Sequence, residues 1–525
     1  MYRHAEQRLT RLINSGESTT LHGGTIGLEK ESLRVAPDGS IALTPHPRAF
    51  GSPLTHPWIT TDFSEALLEL ITPPLDDMGA ALEFLADLHS FVYAHLEDEY
   101  LWATSMPCIL RGETQIPIAR YGDSNAGRMK HLYRVGLGYR YGRAMQVIAG
   151  VHFNYSFSPS FWARMQALEE SREPLRTFVD RMYFGMIRNL QRYGWLIPYL
   201  FGASPAVCKS FFGDEPTDME VFDRSTYYYP YATSLRMGDI GYQNNAEYQA
   251  GFKACYDNLQ AYVNSLHYGM RTPCPRYAGI GVVKNGRYRQ LNANILQIEN
   301  EYYSTVRPKQ PPVNNEPPSR ALRERGVRYV ELRSLDVNAF DPLGINEEQL
   351  RFLEAFMVFC LFQDSPPIGR SEALAIDRNE LAAAHQGRDP LLRLTRPGGA
   401  ILLRDWAREI CEVMEGFCAV LDEGFPHRPY SRSLQTQRSA VADPDRTPSA
   451  QMLREMRERG ESFHDFAKRL SRQHLRYYAA RPLPPERETQ FRMESERSLE
   501  RQRQIEASDS LGFEVYLNQY YREAG

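Results

Sequence analysis

The stretch MQVIAGVHFNYSF, residues 145–157, constrains the fold of this chain more than any other, because its core-type side chains recur at every second position. Val147, Ala149, Val151, Phe153 and Tyr155 share one side, while Gln146, His152, Asn154 and Ser156 share the other. A period of two belongs to a strand. One side must therefore meet a core and the other a polar space. RYVELRSLD repeats the division, with Tyr329, Glu331 and Arg333 opposed to Val330 and Leu332. In GLEKESLRV, Glu29 and Glu31 sit two apart, so a strand aims both carboxylates the same way, roughly 6–7 Å from each other.

Between such runs lie helical periods. LDDMGAALEFLADLHSFVYAHLED places Leu82, Leu85, Val92 and Leu96 at helical spacing, and further helical patterns fall near 160–193, 246–268 and 347–363. Strands with one polar face, separated by long helices in no regular βαβ rhythm, predict an α+β fold with a largely antiparallel sheet. After about residue 346 the chain is mostly helical and charged. The expected division is a site-bearing α+β region over 1–365 and a helical layer over 366–525, packed on the same domain. Two stretches read as loops: SLQTQRSAVADPDRTPSAQ, exposed by composition, and RPKQPPVNNEPPSRALRERG, too rich in proline and asparagine for a core.

Composition excludes several classes of function. With 61 lysines and arginines against 65 acids among 525 residues, the charge balance predicts neither a nucleic-acid nor a membrane-surface partner. The N-terminal MYRHAEQRLTRLINSG reads as a short polar helix without a signal-peptide core. The longest apolar run, Phe356 to Phe362, falls short of the roughly 20 residues a membrane span needs and reads as a buried helix. A cytoplasmic location is expected. Seven scattered cysteines with no CxxC pair suit buried thiols better than a disulfide framework or a zinc cage.

No Walker A loop, HExxH or GxSxG occurs, so the mechanical parts of P-loop, zinc-protease and serine-hydrolase chemistry are missing. Acids on element faces remain. Besides Glu29, Glu31 and Glu331, TDFSEALLELITPP contributes Asp62, Glu65 and Glu69. As a helix, these three form one stripe; as a strand, only Glu65 and Glu69 share a side; Asp62 with Glu65 also resembles a helix capping box. Acid-bearing runs embedded in apolar residues predict a shared, partly enclosed site, and clustered carboxylates repel unless a cation intervenes. Oxygen ligands favour magnesium or manganese over zinc. His152 reads from periodicity as a hydrogen-bonding residue rather than a ligand. The residues by themselves permit metal-assisted phosphoryl transfer with Arg333 beside the ion, glycoside hydrolysis by paired acids, or a metal-stabilised binding domain without chemistry.

GLEKESLRV, THPWITTDFSEALLELITPP, SMPC, YGDSNAGRMKHLYRVGL, GVHFNYSFS, IPYLFGASPAVC, YATSLRMGDIGY, LQIENEYY and VELRSLD occur in that order. Together they resemble the proteobacterial class of glutamate–cysteine ligases, strongly over residues 20–365 and loosely beyond, with departures in the tail and around 310–325. The resemblance implies a glutamine synthetase-like fold, an antiparallel sheet forming a funnel lined with metal-binding acids. It implies ATP, L-glutamate and L-cysteine as substrates, magnesium or manganese as the ion, and feedback inhibition by glutathione. Carried over by matching segment, Glu29, Glu31, Glu69 and Glu331 would hold metal, with Asp62 and His152 as further ligands, which reverses the reading of His152 from periodicity. Arg333 would neutralise the transferring phosphoryl group. Phe63, Tyr133, Gln146, Arg236, Tyr242 and Tyr303 would form the cysteine pocket. A γ-glutamyl ligase using a different amine is the alternative.

Overall fold

The alternating run folds into a short 3-10 turn, Met145–Val147, followed by a strand, Gly150–Ser156, in a computed structural model that describes residues 2–241, 252–313 and 316–524. The strand belongs to a seven-stranded sheet. In chain order its members are β1 (Thr25–Val35), β2 (Ile59–Thr61), β3 (Leu67–Ile71), β4 (Tyr100–Leu101), β5 (Gly150–Ser156), β6 (Val306–Lys309) and β7 (Tyr329–Asp336). They lie side by side as β6–β7–β5–β1–β3–β2, with β4 paired to the end of β1, and every pairing is antiparallel. The expected α+β class holds.

The apolar face of the sheet carries Ile26, Leu28, Val151, Phe153, Tyr155, Val330 and Leu332, all buried. Three helices named for the site and its backing are α1 (Met78–Ala94), α2 (Asn125–Tyr141) and α3 (Glu347–Phe362). Asn346 starts α3 through a capping box with Gln349, and every residue from Gln349 to Phe362 is buried, as a helix apolar all round requires. Its one central acid, Glu354, accepts hydrogen bonds from the hydroxyls of Tyr155 (3.0 Å) and Tyr430 (2.6 Å), so burial leaves no bare carboxylate. Among the described residues, no helix is long and apolar enough to cross a membrane.

Several expectations need correction. Residues 59–71 form a hairpin whose turn carries Asp62 and Glu65, so neither the helical stripe nor the capping box exists. Glu65 instead accepts the backbone N–H groups of His46 and Arg120, stitching two loops together. The 433–451 stretch is mostly helix, Pro429–Ala442 and Pro448–Arg459, broken at Asp443–Pro444 where proline removes a donor. The 307–326 stretch opens with β6 and closes with a helix, Pro318–Arg325; Pro308 is tolerated because β6 is an edge strand. The 160–193 pattern is two helices, and of the 246–268 pattern the described part is helical from Leu259 to Arg271. Cys108 and Cys208 form a disulfide, although 100 residues apart, because the fold brings their Cα atoms to 5.5 Å. The other five cysteines are free.

Candidate active site

Register builds the site. In antiparallel pairs, residues directly opposite one another project to the same face. Glu31 faces Glu69 across β1–β3, Glu29 faces His152 across β1–β5, and Glu331 faces Asn154 across β5–β7 and Arg307 across β6–β7. A row of polar groups therefore runs across four neighbouring pairings on the side away from the core. β7 carries a bulge on the way: Leu332 pairs with Phe153 and Leu335 with Val151, one residue too many for the partner. Such bulges re-aim side chains, here beside Arg333.

The row closes around a cavity of about 230 Å³ lined by Glu29, Glu31, Asp62, Phe63, Glu69, Tyr133, Gln146, His152, Arg236, Tyr303, Glu331 and Arg333. These are twelve of the thirteen residues singled out above; the other, Tyr242, lies outside the described residues. His152 Nδ1 is 3.0 Å from Glu29 Oε2 and 3.7 Å from Glu331 Oε1, and its Nε2 is 3.6 Å from Glu31 Oε1. Asn154 Nδ2 donates to Glu29 Oε1 at 2.9 Å, and the Gly150 N–H donates to Glu31 Oε2 at 2.6 Å.

So many acids in one enclosed place separate in their proton affinities. Burial raises Glu31, against the pull of His152, and raises Glu69 well above the ordinary carboxylate range, with Glu29, Asp62 and Glu31 adding repulsion. Burial pushes Glu331 up as well, but Arg333, Lys309 and His152 outweigh it and hold the acid low. Burial and Glu331 likewise oppose ionisation of Glu29, yet the hydrogen bond and charge of His152 leave it lowered. Arg333 Nη1 lies 2.9 Å from Glu331 Oε1 and 3.4 Å from His152 Nδ1.

The arrangement fits a divalent ion. Glu29, His152 and Glu331 each place one ligand atom within 4.8 Å of the others. Among the described residues, Glu331 Oε2 and His152 Nε2 are buried without a hydrogen-bond partner, which is the unspent capacity an ion would take up. Glu31, opposite Glu69 across β1–β3, and Asp62 add further carboxylates to the same lining.

On the remaining wall, Arg236 is fully buried, donates from Nη2 to the Arg333 carbonyl at 2.8 Å and lies 4.0 Å from Asp336. A Cβ at residue 150 would stand 2.1 Å from that same Nη2, so glycine is what lets the guanidinium lie there. Tyr303 donates to Gln146 Oε1 at 2.7 Å, and the Gln146 Nε2 is buried without a hydrogen-bond partner among the described residues. Phe63, Tyr133 and Leu137 supply the apolar part.

The lining also includes residues not foreseen: Arg134, Leu137, Met145, Ile148, Asn300, Arg307 and Lys309. Arg134 bonds the Asp62 carbonyl and lies 3.6 Å from its carboxylate. Arg307 and Lys309 alternate in VRPK as strand residues do, but the proline between them disguised the period.

Comparison with known proteins shows what the whole chain is similar to. A family profile described as glutamate–cysteine ligase matches residues 9–382. A glutamate–cysteine ligase from Pseudomonas paraeruginosa is 48% identical over 494 residues, covering 94% of this chain and 93% of the relative. One from Alcanivorax borkumensis is 45% identical over 527 residues, covering 99% and 100%. The crystal structure of a glutamate–cysteine ligase from Francisella tularensis, in complex with AMP, superposes with a TM-score of 0.89 at 35% identity, covering 96% of this chain and 98% of that one. The glutamine synthetase-like sheet fold implied by the motifs is thereby the fold of the chain. By its sequence along almost its whole length and by its fold, the chain belongs to the glutamate–cysteine ligase family.

Proposed function

We propose that this chain joins the γ-carboxylate of L-glutamate to the amino group of L-cysteine, driven by cleavage of ATP to ADP and phosphate, and so carries out the first step of glutathione synthesis. The observation that carries the reading is the row of acids around His152, flanked by Arg333 and Arg236, in a chain of this family. A γ-carboxylate oxygen of glutamate attacks the terminal phosphorus of ATP, giving γ-glutamyl phosphate and ADP. The amine of cysteine then attacks the acyl carbon, the carbon–oxygen bond to phosphate breaks, and a proton leaves the nitrogen.

Glu29, His152 and Glu331, with Glu31, Glu69 and Asp62, would hold magnesium, or manganese in its place. When bound, such an ion would neutralise phosphate charge, a task that a glycine-rich loop shares in other nucleotide enzymes. Arg333 offsets charge on the transferring group, since a fixed guanidinium matches a spread of oxygens. Arg236 and the Gln146 amide meet the carboxylate of cysteine, while Phe63, Tyr133 and Tyr303 enclose its small side chain. Tyr242, from outside the described residues, is assigned to the same pocket. The enclosed cavity keeps water from the acyl phosphate, which would otherwise hydrolyse. The reaction is assigned to the cytoplasm. Glutathione contains the product dipeptide and is expected to compete for the site.

The test combines purified protein, ATP, magnesium, glutamate and cysteine under reducing conditions. Formation of ADP and γ-glutamylcysteine in equal amounts is expected, and their absence overturns the reading. A panel of other amines in the same assay decides the acceptor.

A further inference from the structure

The cations around the cavity are not held alike. Arg134 is tied to the backbone and side chain of Asp62, Arg307 donates to the carbonyls of Asn300 and Tyr302, and Arg236 donates to the carbonyl of Arg333. Lys309 differs. It projects from the edge strand β6, its side chain is 30% exposed, and its ion-pair partner among the described residues is Glu331, with Nζ 3.3 Å from Oε1. The same oxygen also receives Arg333 at 2.9 Å, whereas Glu331 Oε2, wholly buried, has no hydrogen-bond donor among the described residues.

Glu331 thus carries two protein cations on one oxygen while its other oxygen is left over for an ion. A divalent ion on that carboxylate would repel an ammonium that lies 3.3 Å from Oε1, more strongly than it would in bulk water because the carboxylate is buried. The lysine has a four-carbon stem and an open side toward the cavity, so it can leave Glu331 without moving the strand. Pro308 beside it stiffens the backbone from which it turns.

We propose that Lys309 is a contact for the phosphates of the nucleotide: its ammonium rests on Glu331 in the free protein and turns to the phosphate oxygens when ATP binds. The inference rests on the ligase reading above. It makes Lys309 a substrate-binding residue with two opposite effects, helping the nucleotide and competing with the metal.

That opposition gives the test. ADP and AMP are titrated calorimetrically against the wild type, Lys309→Met and Lys309→Arg in magnesium, and Mn²⁺ alone is titrated by electron paramagnetic resonance. A charge-assisted contact to phosphate lost in Lys309→Met weakens ADP by about tenfold or more and AMP by much less. Lys309→Arg recovers most of the loss. Manganese alone binds Lys309→Met as tightly as the wild type or tighter, because a competing cation is gone. The proposal is overturned by unchanged ADP affinity, by equal losses for ADP and AMP, by a failure of arginine to rescue, or by a parallel loss of manganese that marks a distorted site. These titrations read Lys309 whether or not product forms, so failure of the coupled ligase assay is a separate outcome.

Discussion

Single side chains here are defined by what stands behind them. Glu29 meets His152 and Asn154, whereas Arg236 is seated against Gly150 and the Arg333 carbonyl, so the two should fail differently. Glu29→Gln is expected to abolish ATP consumption, and Arg236→Ala mainly to raise the cysteine KM, by about tenfold or more given the loss of a charged contact. Steady-state kinetics with each substrate varied in turn distinguishes them, and equal, mild effects would contradict the roles assigned. Gly150→Ala places a methyl group 2.1 Å from Arg236 Nη2. It should therefore imitate Arg236→Ala in the cysteine KM while the protein still folds, which circular dichroism and the same kinetics can verify. The placement of Glu29, Glu31 and Glu331 on strand faces is legible in the sequence, because a period of two needs no knowledge of neighbours. That of Lys309 is not, since proline hides its strand.

At the scale of elements, the sheet is tied to a helix beneath it by the hydrogen bond from Tyr155 to Glu354. That helix, α3, is buried among other helices, where Phe359 meets the rings of Tyr2, Tyr193 and Phe417. Phe359→Ala should cost about 3–5 kcal/mol, read as a lower denaturant midpoint, because the cavity has rigid walls on several sides. This helix was evident in the sequence from its unbroken apolar run and its length. The hairpin of β2 and β3 was not, because TDFSEALLELI fits helical and strand periods alike, and pairing with β1 decided between them. The 433–451 stretch misled for the opposite reason. Its polar residues face solvent from one side of a helix whose Ser433, Leu434, Gln437, Ala440 and Val441 are buried.

For the whole molecule, distant segments are joined through buried polar groups. Glu299 accepts hydrogen bonds from the backbone N–H and hydroxyl of Ser319, whose hydroxyl also reaches the carbonyl of Ala524 at the C-terminal end. Burial raises the Glu299 carboxyl to about 7, against an ordinary value of 4.5, despite those bonds. The folded chain thus keeps a proton that the unfolded chain releases, so this acid's contribution is full below pH 4.5 and is lost as pH rises through about 7. Glu299→Gln should remove that decline, worth up to about 3 kcal/mol. Urea unfolding of both proteins between pH 5 and 8 checks it: the variant should gain on the wild type as pH rises, and a constant difference would refute the assignment. The sequence by itself determined which residues share a face in the strictly alternating runs, and the buried helix, because periodicity and composition are local properties. Only the tertiary structure decided that Glu31 stands opposite Glu69, that Lys309 reaches Glu331 and that Cys108 finds Cys208. The choice of strand neighbours and loop crossings is made by the packing of segments far apart in the chain, and no local spacing encodes it.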